Sequence, residues 1–337
     1  DMEAVCMGTY GRPSVQSRRM NPSESQPAET PSWTQDWSTL VKARLSLLVL
    51  ATTLVGFLVA EPDRIDWPRL GWTLAGTFLS AAAAAALNQA MERHHDAKMR
   101  RTANRPVASG RFSRTLAVIV GFVLGYAGCF MLAMRVNMLA CSLSALTIVL
   151  YVAVYTPLKR VTTLNTVVGA VVGGIPPLIG WAAASGDLQR GAWVMAALLF
   201  TWQLPHFFAL AWLHREDYER GGFRMLPSMP GGEGLAAQTS LLSSLLLVPI
   251  GLMGTLLGLA GMASAIACGL AALGLTWFAW LHFRRMDRPS ARNLFLASLV
   301  YLPVVLIAMS LDRGPLTGMA SVRGGRTVLI DLPATQP

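Results

Sequence analysis

The chain has 337 residues, 53% of them hydrophobic and only 14% charged, against roughly 25% charged in an ordinary soluble domain. That composition excludes a soluble globule. The net charge of +10 would suit a nucleic-acid partner, but the spread of the basic residues along the chain argues against one. Four cysteines, Cys6, Cys129, Cys141 and Cys268, include no CxxC pair, which excludes a disulfide framework or a zinc site.

Residues 1–36 are rich in Ser, Pro, Glu and Gln without hydrophobic periodicity and read as a disordered tail. Asp1 is not an initiator, and Met20 followed by Asn-Pro-Ser-Glu offers a start of its own. No cleavable signal peptide is expected, because the first apolar run begins near residue 40 and is too long. Nine apolar runs follow, at 40–60, 70–91, 115–134, 138–155, 163–184, 191–213, 237–259, 262–281 and 292–311. Each approaches the ~20 residues that a helix needs to cross ~30 Å of hydrocarbon. They lack the period-2 alternation of barrel strands, and only helices or closed barrels satisfy their backbone in lipid. The fold expected is all-α, a polytopic membrane protein with a bundle of about nine transmembrane helices over 37–313. A polar tail at 314–337 is expected to be disordered.

Of the 28 Lys and Arg residues, 21 lie in the N-terminal segment through Arg44 and in the alternate loops 92–114, 156–162, 214–236 and 282–292. The intervening loops and the C-terminal tail share the other seven. Cytoplasmic loops carry such an excess of basic residues. The N-terminus and the large polar loops are therefore expected in the cytoplasm and the C-terminus outside. The partner of this charge is a lipid bilayer, with no nucleic acid involved.

The second span ends in Asn88-Gln-Ala-Met-Glu92-Arg-His-His-Asp96. Asn88, Glu92 and Asp96 stand at i, i+4 and i+8, on one helix face. Three oxygen ligands at a membrane mouth suit a hard cation such as Mg²⁺, whose shell is commonly completed by substrate phosphates. Polar groups at such depth are costly and usually functional. Lys98, Arg100, Arg101 and Arg105 follow, placed to take phosphate charge. The sixth span leads into a second acidic mouth with Glu216 and Asp217, facing the first and able to clamp a diphosphate. The repetition of this arrangement at spans 2 and 6 suggests an internal pseudo-symmetry. Trp202, Trp212, Phe207 and Phe208 read as lipid-facing or interfacial, and His94 and His95 as solvated neighbours. The glycines and prolines of spans 5 and 6, Gly173, Gly174, Pro176, Pro177, Gly180 and Pro205, are expected to bend helices and open a cavity.

The Asn-x-x-x-acid-x-x-x-Asp pattern with Arg101-Thr-x-Asn104-Arg105-Pro106 resembles the first signature of the UbiA superfamily of intramembrane prenyltransferases. Tyr155-Thr-Pro-Leu-Lys159-Arg160, Leu164-Asn165-Thr166 and Ile175-Pro176-Pro177 resemble the protoheme IX farnesyltransferase branch. So do Trp202-Gln203-Leu-Pro205-His206-Phe207 and the Asp217-Tyr218 and Met225-Leu-Pro227 that follow. The resemblance covers roughly 40–311. Glu92 stands where Asp is common, Gly221 where a second Asp would follow Asp217, and Lys42-Ala43-Arg44 where relatives often have Lys-Pro-Arg.

The resemblance implies transfer of the farnesyl group of farnesyl diphosphate to a vinyl group of protoheme IX, with addition of water, giving haem O. It implies a step in haem O and haem A biosynthesis for terminal oxidases, with a downstream haem A synthase as onward partner, in a bacterial inner membrane. Asn88, Glu92, Asp96 and Asp217 would hold Mg²⁺, and these four with Lys159 would be catalytic. Lys98, Arg101, Arg105, Tyr155, Lys159, Arg160 and Asn165 would bind diphosphate. His206 has two readings, a haem ligand or a hydrogen-bonded filler of a helix break at Pro205. Two other functions share parts of the pattern. A prenyltransferase acting on 4-hydroxybenzoate would have the first motif without the Leu164–Pro177 stretch. A transporter would place its ionisable residues mid-span, whereas here they crowd the cytoplasmic ends.

Overall fold

The computed structural model describes residues 31–60, 65–313, 321–323 and 326–328. Most of both expected tails therefore lies outside the described residues. Eight described helices are long and apolar enough to cross a membrane, and a ninth span forms if one bent pair is counted together. The protein is a multi-pass, all-α membrane bundle. Two three-residue strands, Ser321–Arg323 and Arg326–Val328, pair antiparallel in the C-terminal segment.

The bent pair is α1 (Trp33–Leu40) and α2 (Ala43–Ala60), which meet at 47°. Helix α1 starts inside the segment expected to be disordered. Ser32 accepts from the Gln35 amide while the Gln35 side chain accepts from the Ser32 amide, a capping box that satisfies two orphan donors. Arg111 then clamps Asp36 through two bonds of 2.7 Å. Between the helices Lys42 has φ 48°, a left-handed conformation unusual for a residue with a side chain. The chain turns there, and Lys42 is carried into the bundle.

Helix α3 (Trp67–Asp96) runs on to Asp96 and packs along α4 (Arg114–Arg135). Next, α5 (Met138–Val149) passes through a π-helical turn, Leu150–Tyr155, into α6 (Thr156–Leu158). Helices α7 (Asn165–Gly173) and α8 (Ile175–Ser185) form one span broken at Gly174, and α9 (Arg190–Leu213) runs unbroken through Pro205. Beyond a short α10 (Arg215–Gly221) come α11 (Gly232–Leu256), α12 (Met262–Arg285) and α13 (Arg288–Leu311).

Lipid is as apolar as leucine, so these helices gain little from hiding apolar surface and associate through close packing of small residues. Helices α2 and α8 show this. A Cβ built on Gly56 would collide with the Pro177 carbonyl, and one on Gly180 with the Thr53 carbonyl. Backbone meets backbone there, locking α8 against α2. On α3, Ala82 to Ala86 are all buried, and their short side chains leave space beside the helix.

The aromatic residues expected at the lipid face divide differently. Trp202, Phe208 and Trp212 are buried, because α9 is a central helix packed by α7, α8, α11 and α13. Trp202 Nε1 donates to the Ser298 carbonyl at 2.8 Å. Among the described residues the exposed tryptophans are Trp33, Trp67, Trp72, Trp193, Trp277 and Trp280, toward the ends of their helices, where aromatic belts form.

Candidate active site

Asn88, Glu92 and Asp96 do share one face of α3, and all three are buried, at 0%, 4% and 1% exposure. Each is held by a base from a different segment. Lys42 Nζ, delivered by the break between α1 and α2, donates to Asn88 Oδ1 at 2.9 Å and to Tyr151 Oη at 3.1 Å. Lys159, just past α6, donates to Glu92 at 3.0 Å. Arg105 Nη1 donates to both Asp96 oxygens, at 2.9 and 2.8 Å. The two acids thus sit in ion pairs, and Asn88 in a hydrogen bond to Lys42, rather than standing open. Removing one partner of a buried pair costs about 3–5 kcal/mol, so the bases tie three segments together at this point.

The π turn sets the fourth wall. Its i→i+5 bonding winds the chain more loosely than an α-helix, and such turns recur at functional sites. Tyr151 and Tyr155 lie with ring centroids 5.3 Å apart, and Lys159 Nζ rests 4.5 Å from the Tyr155 centroid. Thr156 Oγ1 donates to the Tyr151 carbonyl at 2.8 Å and accepts from Asn88 Nδ2 at 3.1 Å. Both ends of the Asn88 amide are therefore fixed.

The loop that follows α9 closes over this arrangement with Tyr218, Phe223 and Met225. Asp217 plays a different part from the acids of α3. It accepts the Arg100 and Arg101 amides at 3.2 and 3.4 Å and pairs closely with Arg220. Burial alone would raise its pKa, but the Arg220 bond and the two amides outweigh that and hold the carboxyl below the usual carboxylate range. Its carboxylate anchors the backbone of the loop that carries Arg101 and Arg105. Asn165 likewise donates to the Thr162 and Arg224 carbonyls, at 2.6 and 2.8 Å, while the Arg224 amide donates to the Lys159 carbonyl at 2.7 Å. Lys98, Arg160 and Glu216 are exposed and line none of the cavities described next. The Arg44 side chain lies outside what is described. His94 is exposed as expected, but His95 Nδ1 donates to the Gly221 carbonyl at 2.7 Å and joins the two loops.

Three cavities meet here. A polar one of about 70 Å³ holds Asn88, Glu92, Asp96, Arg101, Arg105 and Lys159. An apolar one of about 230 Å³ descends between α2, α3, α7 and α8, past Ala81, Ala84, Ala85, Gly173 and Pro176. An open groove of about 920 Å³ runs from the Thr34, Ser38 and Thr39 side of α1 to His206, Phe207 and Leu210 on α9. Lys42 and Tyr155 line all three. At the groove, His206 Nδ1 lies 2.9 Å from Ser298 Oγ, whose own proton goes to the Phe295 carbonyl at 2.6 Å. With the Ser298 proton on the Phe295 carbonyl, Nδ1 is the donor and Nε2 keeps its lone pair; in the other tautomer Nδ1 accepts from Ser298.

No cluster of three His, Cys, Asp or Glu residues among the described ones is close enough to chelate a metal unaided. The chemistry of the polar cavity still fits a hard divalent cation. It offers two carboxyl groups and a carboxamide oxygen on one helix face, with space for oxygen ligands from a second molecule. Sequence reading identified those three oxygens but passed over Tyr151 and Thr156. Tyr151 was within reach, since Tyr151, Tyr155 and Lys159 continue one i, i+4, i+8 series.

A helical membrane bundle with a charged, oxygen-rich mouth above an apolar cavity defines a class of intramembrane enzyme that handles a lipid with an anionic head. Residues 49–300 match the UbiA prenyltransferase family, and the chain belongs to that family. It is 39% identical over 291 residues to the protoheme IX farnesyltransferase of Solibacter usitatus, covering 83% of this chain and 99% of that one. It is 42% identical over 276 residues to the mitochondrial protoheme IX farnesyltransferase of Arabidopsis thaliana, covering 81% of this chain. The match spans 64% of the length of that plant protein. The solved digeranylgeranylglyceryl phosphate synthase shares the fold at TM-score 0.69 and 14% identity, covering 83% of this chain and 98% of that one. A UbiA homologue from Archaeoglobus fulgidus, bound to GPP and Mg²⁺, shares it at TM-score 0.55 and 12% identity, covering 82% and 100%.

Proposed function

We propose that this protein transfers the farnesyl group of farnesyl diphosphate to a vinyl group of protoheme IX, with addition of water, giving haem O. The observation that carries this reading is the meeting of three cavities of different character on Lys42 and Tyr155. The polar cavity suits a diphosphate, the apolar cavity a flexible prenyl chain, and the wide groove a flat porphyrin. The relatives named protoheme IX farnesyltransferase supply the identity of the acceptor, and the Archaeoglobus structure bound to GPP and Mg²⁺ supports the identity of the metal.

In this reading Asn88, Glu92 and Asp96 hold Mg²⁺, which supplies charge neutralisation of the departing diphosphate. Lys159 and Arg105 turn from their acids, and Lys42 from Asn88, to the phosphate oxygens, joined by Arg101. Lys159 acts as a point charge and the arginines as planar forks. The C1–O bond then ionises to an allylic cation, and the Tyr151 and Tyr155 rings beside it offer their negative π faces. The vinyl group attacks C1 through its terminal carbon. Water captures the resulting cation on the porphyrin side chain and gives up a proton, leaving a hydroxyethylfarnesyl group. Asp217 and Asn165 act one step back, holding the backbone from which Arg101, Arg105 and Lys159 reach the substrate. His206, with Nε2 unprotonated, serves as the haem ligand.

The site lies at the cytoplasmic face of a bacterial inner membrane, with the N-terminus cytoplasmic and the C-terminus outside, and haem O passes on to a haem A synthase. The purified protein in detergent, given protoheme and farnesyl diphosphate, should form a more hydrophobic haem in Mg²⁺ and none in excess EDTA. It should leave 4-hydroxybenzoate unmodified. Prenylation of 4-hydroxybenzoate without any new haem would overturn the assignment of the acceptor.

A further inference from the structure

In this structure every proposed metal ligand is bonded to a base that the diphosphate needs. Glu92 holds Lys159, Asp96 holds Arg105 through both oxygens, and Asn88 holds Lys42. The partners are largely withdrawn from solvent, with side-chain exposures of 5% and 14% for Glu92 and Lys159 and of 1% and 19% for Asp96 and Arg105. They share a cavity of about 70 Å³. Buried charges of this kind cannot be parted without leaving one of them uncompensated.

A cation entering alone must take Glu92 from Lys159 and Asp96 from Arg105, stranding two buried bases. A diphosphate entering alone must draw off the bases and leave two bare carboxylates beside its own negative charge. Both penalties vanish when the two arrive together, since the carboxylates turn to the metal while the bases turn to the phosphate oxygens.

We infer that the two base-to-acid pairs, with the Lys42–Asn88 bond beside them, are a built-in exchange device, which makes metal and diphosphate binding mutually dependent and keeps the site from loading with either one alone. The inference rests on the reading of Asn88, Glu92 and Asp96 as the metal ligands. Coupling of this kind is reciprocal, so each ligand raises the affinity for the other by the same factor.

The device has a consequence that a simple electrostatic picture does not share. Removing a positive charge from a cation site always favours the cation somewhat, and a distant base of the same loop would show that small effect. Freeing the carboxylate itself should do far more. The test is equilibrium binding of Mn²⁺ to the full-length protein in detergent without any diphosphate, read from the electron paramagnetic resonance signal of free Mn²⁺. Lys159→Gln and Arg105→Gln, which release different acids, should each tighten Mn²⁺ binding by about tenfold. Lys98→Gln, at an exposed base of the same loop, should change it much less. In unaltered protein, farnesyl thiolodiphosphate, whose sulfur bridge resists ionisation, should bind about tenfold more weakly in EDTA than in Mn²⁺. If Lys159→Gln and Arg105→Gln both bind Mn²⁺ no better than Lys98→Gln, while Glu92→Gln abolishes binding, the metal site stands and the exchange device is wrong. If Glu92→Gln and Asp96→Asn both bind Mn²⁺ as the unaltered protein does, the metal site itself is misplaced and the inference falls with it.

Discussion

His206 shows how one hydrogen bond can decide the chemistry of a side chain. When Ser298 gives its proton to the Phe295 carbonyl, it accepts from His206 Nδ1, and that tautomer leaves Nε2 basic. The ring is stacked between Trp202 and Phe295 at centroid distances of 5.3 and 5.0 Å, so it has little freedom to turn away. Replacing it by alanine should remove the optical signature of a histidine-ligated haem and weaken protoheme binding, with farnesyl diphosphate affinity little changed. Ser298→Ala keeps the ring but loses its orienting partner and should weaken haem binding by about tenfold, the usual scale for such supporting bonds. Difference spectra of protoheme titrated into the purified variants measure both effects. An unaltered spectrum and affinity in His206→Ala would return the residue to a packing role.

Helices α2 and α8 form the back wall of the apolar cavity, and their contact has no side chain to yield at Gly56 or Gly180. Gly180→Ala must push the two backbones apart against the Thr53 carbonyl, at a cost of about 1–3 kcal/mol for an overpacked site. The variant should lose its folded fraction at a temperature several degrees lower when heated in detergent, followed by size-exclusion chromatography. Unchanged thermal stability would mean that the two helices do not pack this tightly. The elements themselves were plain in the sequence. The expected run 191–213 is α9 at Arg190–Leu213, and 262–281 is the start of α12 at Met262–Arg285, because an uncharged run of that length has few alternatives to a spanning helix. The acidic face was legible for a similar reason, since i, i+4, i+8 is a local relation. What was not legible is what reaches that face from afar. Lys42 lies 46 residues from Asn88, and Lys159 lies 67 from Glu92. No periodicity encodes those meetings. The π turn escaped as well, because its sequence reads as ordinary helix. Asp217 kept its place at the second mouth but spends its carboxylate on backbone amides, a use that charge and spacing alone do not reveal.

At the scale of the whole molecule, the bundle separates chemistry by depth. Charges gather at one mouth, the apolar cavity lies beneath, and the groove brings a third compartment to the same two residues. Three spans lie between the loop holding Ser109 and the one holding Asp187, which therefore belong on opposite faces of the membrane. In a cysteine-free background, Ser109→Cys should be shielded from impermeant thiol reagents in intact cells and Asp187→Cys labelled. Labelling of both from one side would break the arrangement of spans. The central claim is that this bundle farnesylates haem, and the most direct measurement is the haem content of a bacterial host that lacks its own haem O synthase. Extracts from cells expressing the protein should contain, on reverse-phase chromatography, a haem eluting later than protoheme whose mass corresponds to addition of a farnesyl group and one water. Extracts that contain only protoheme, from cells whose membranes hold the folded protein, would contradict the account.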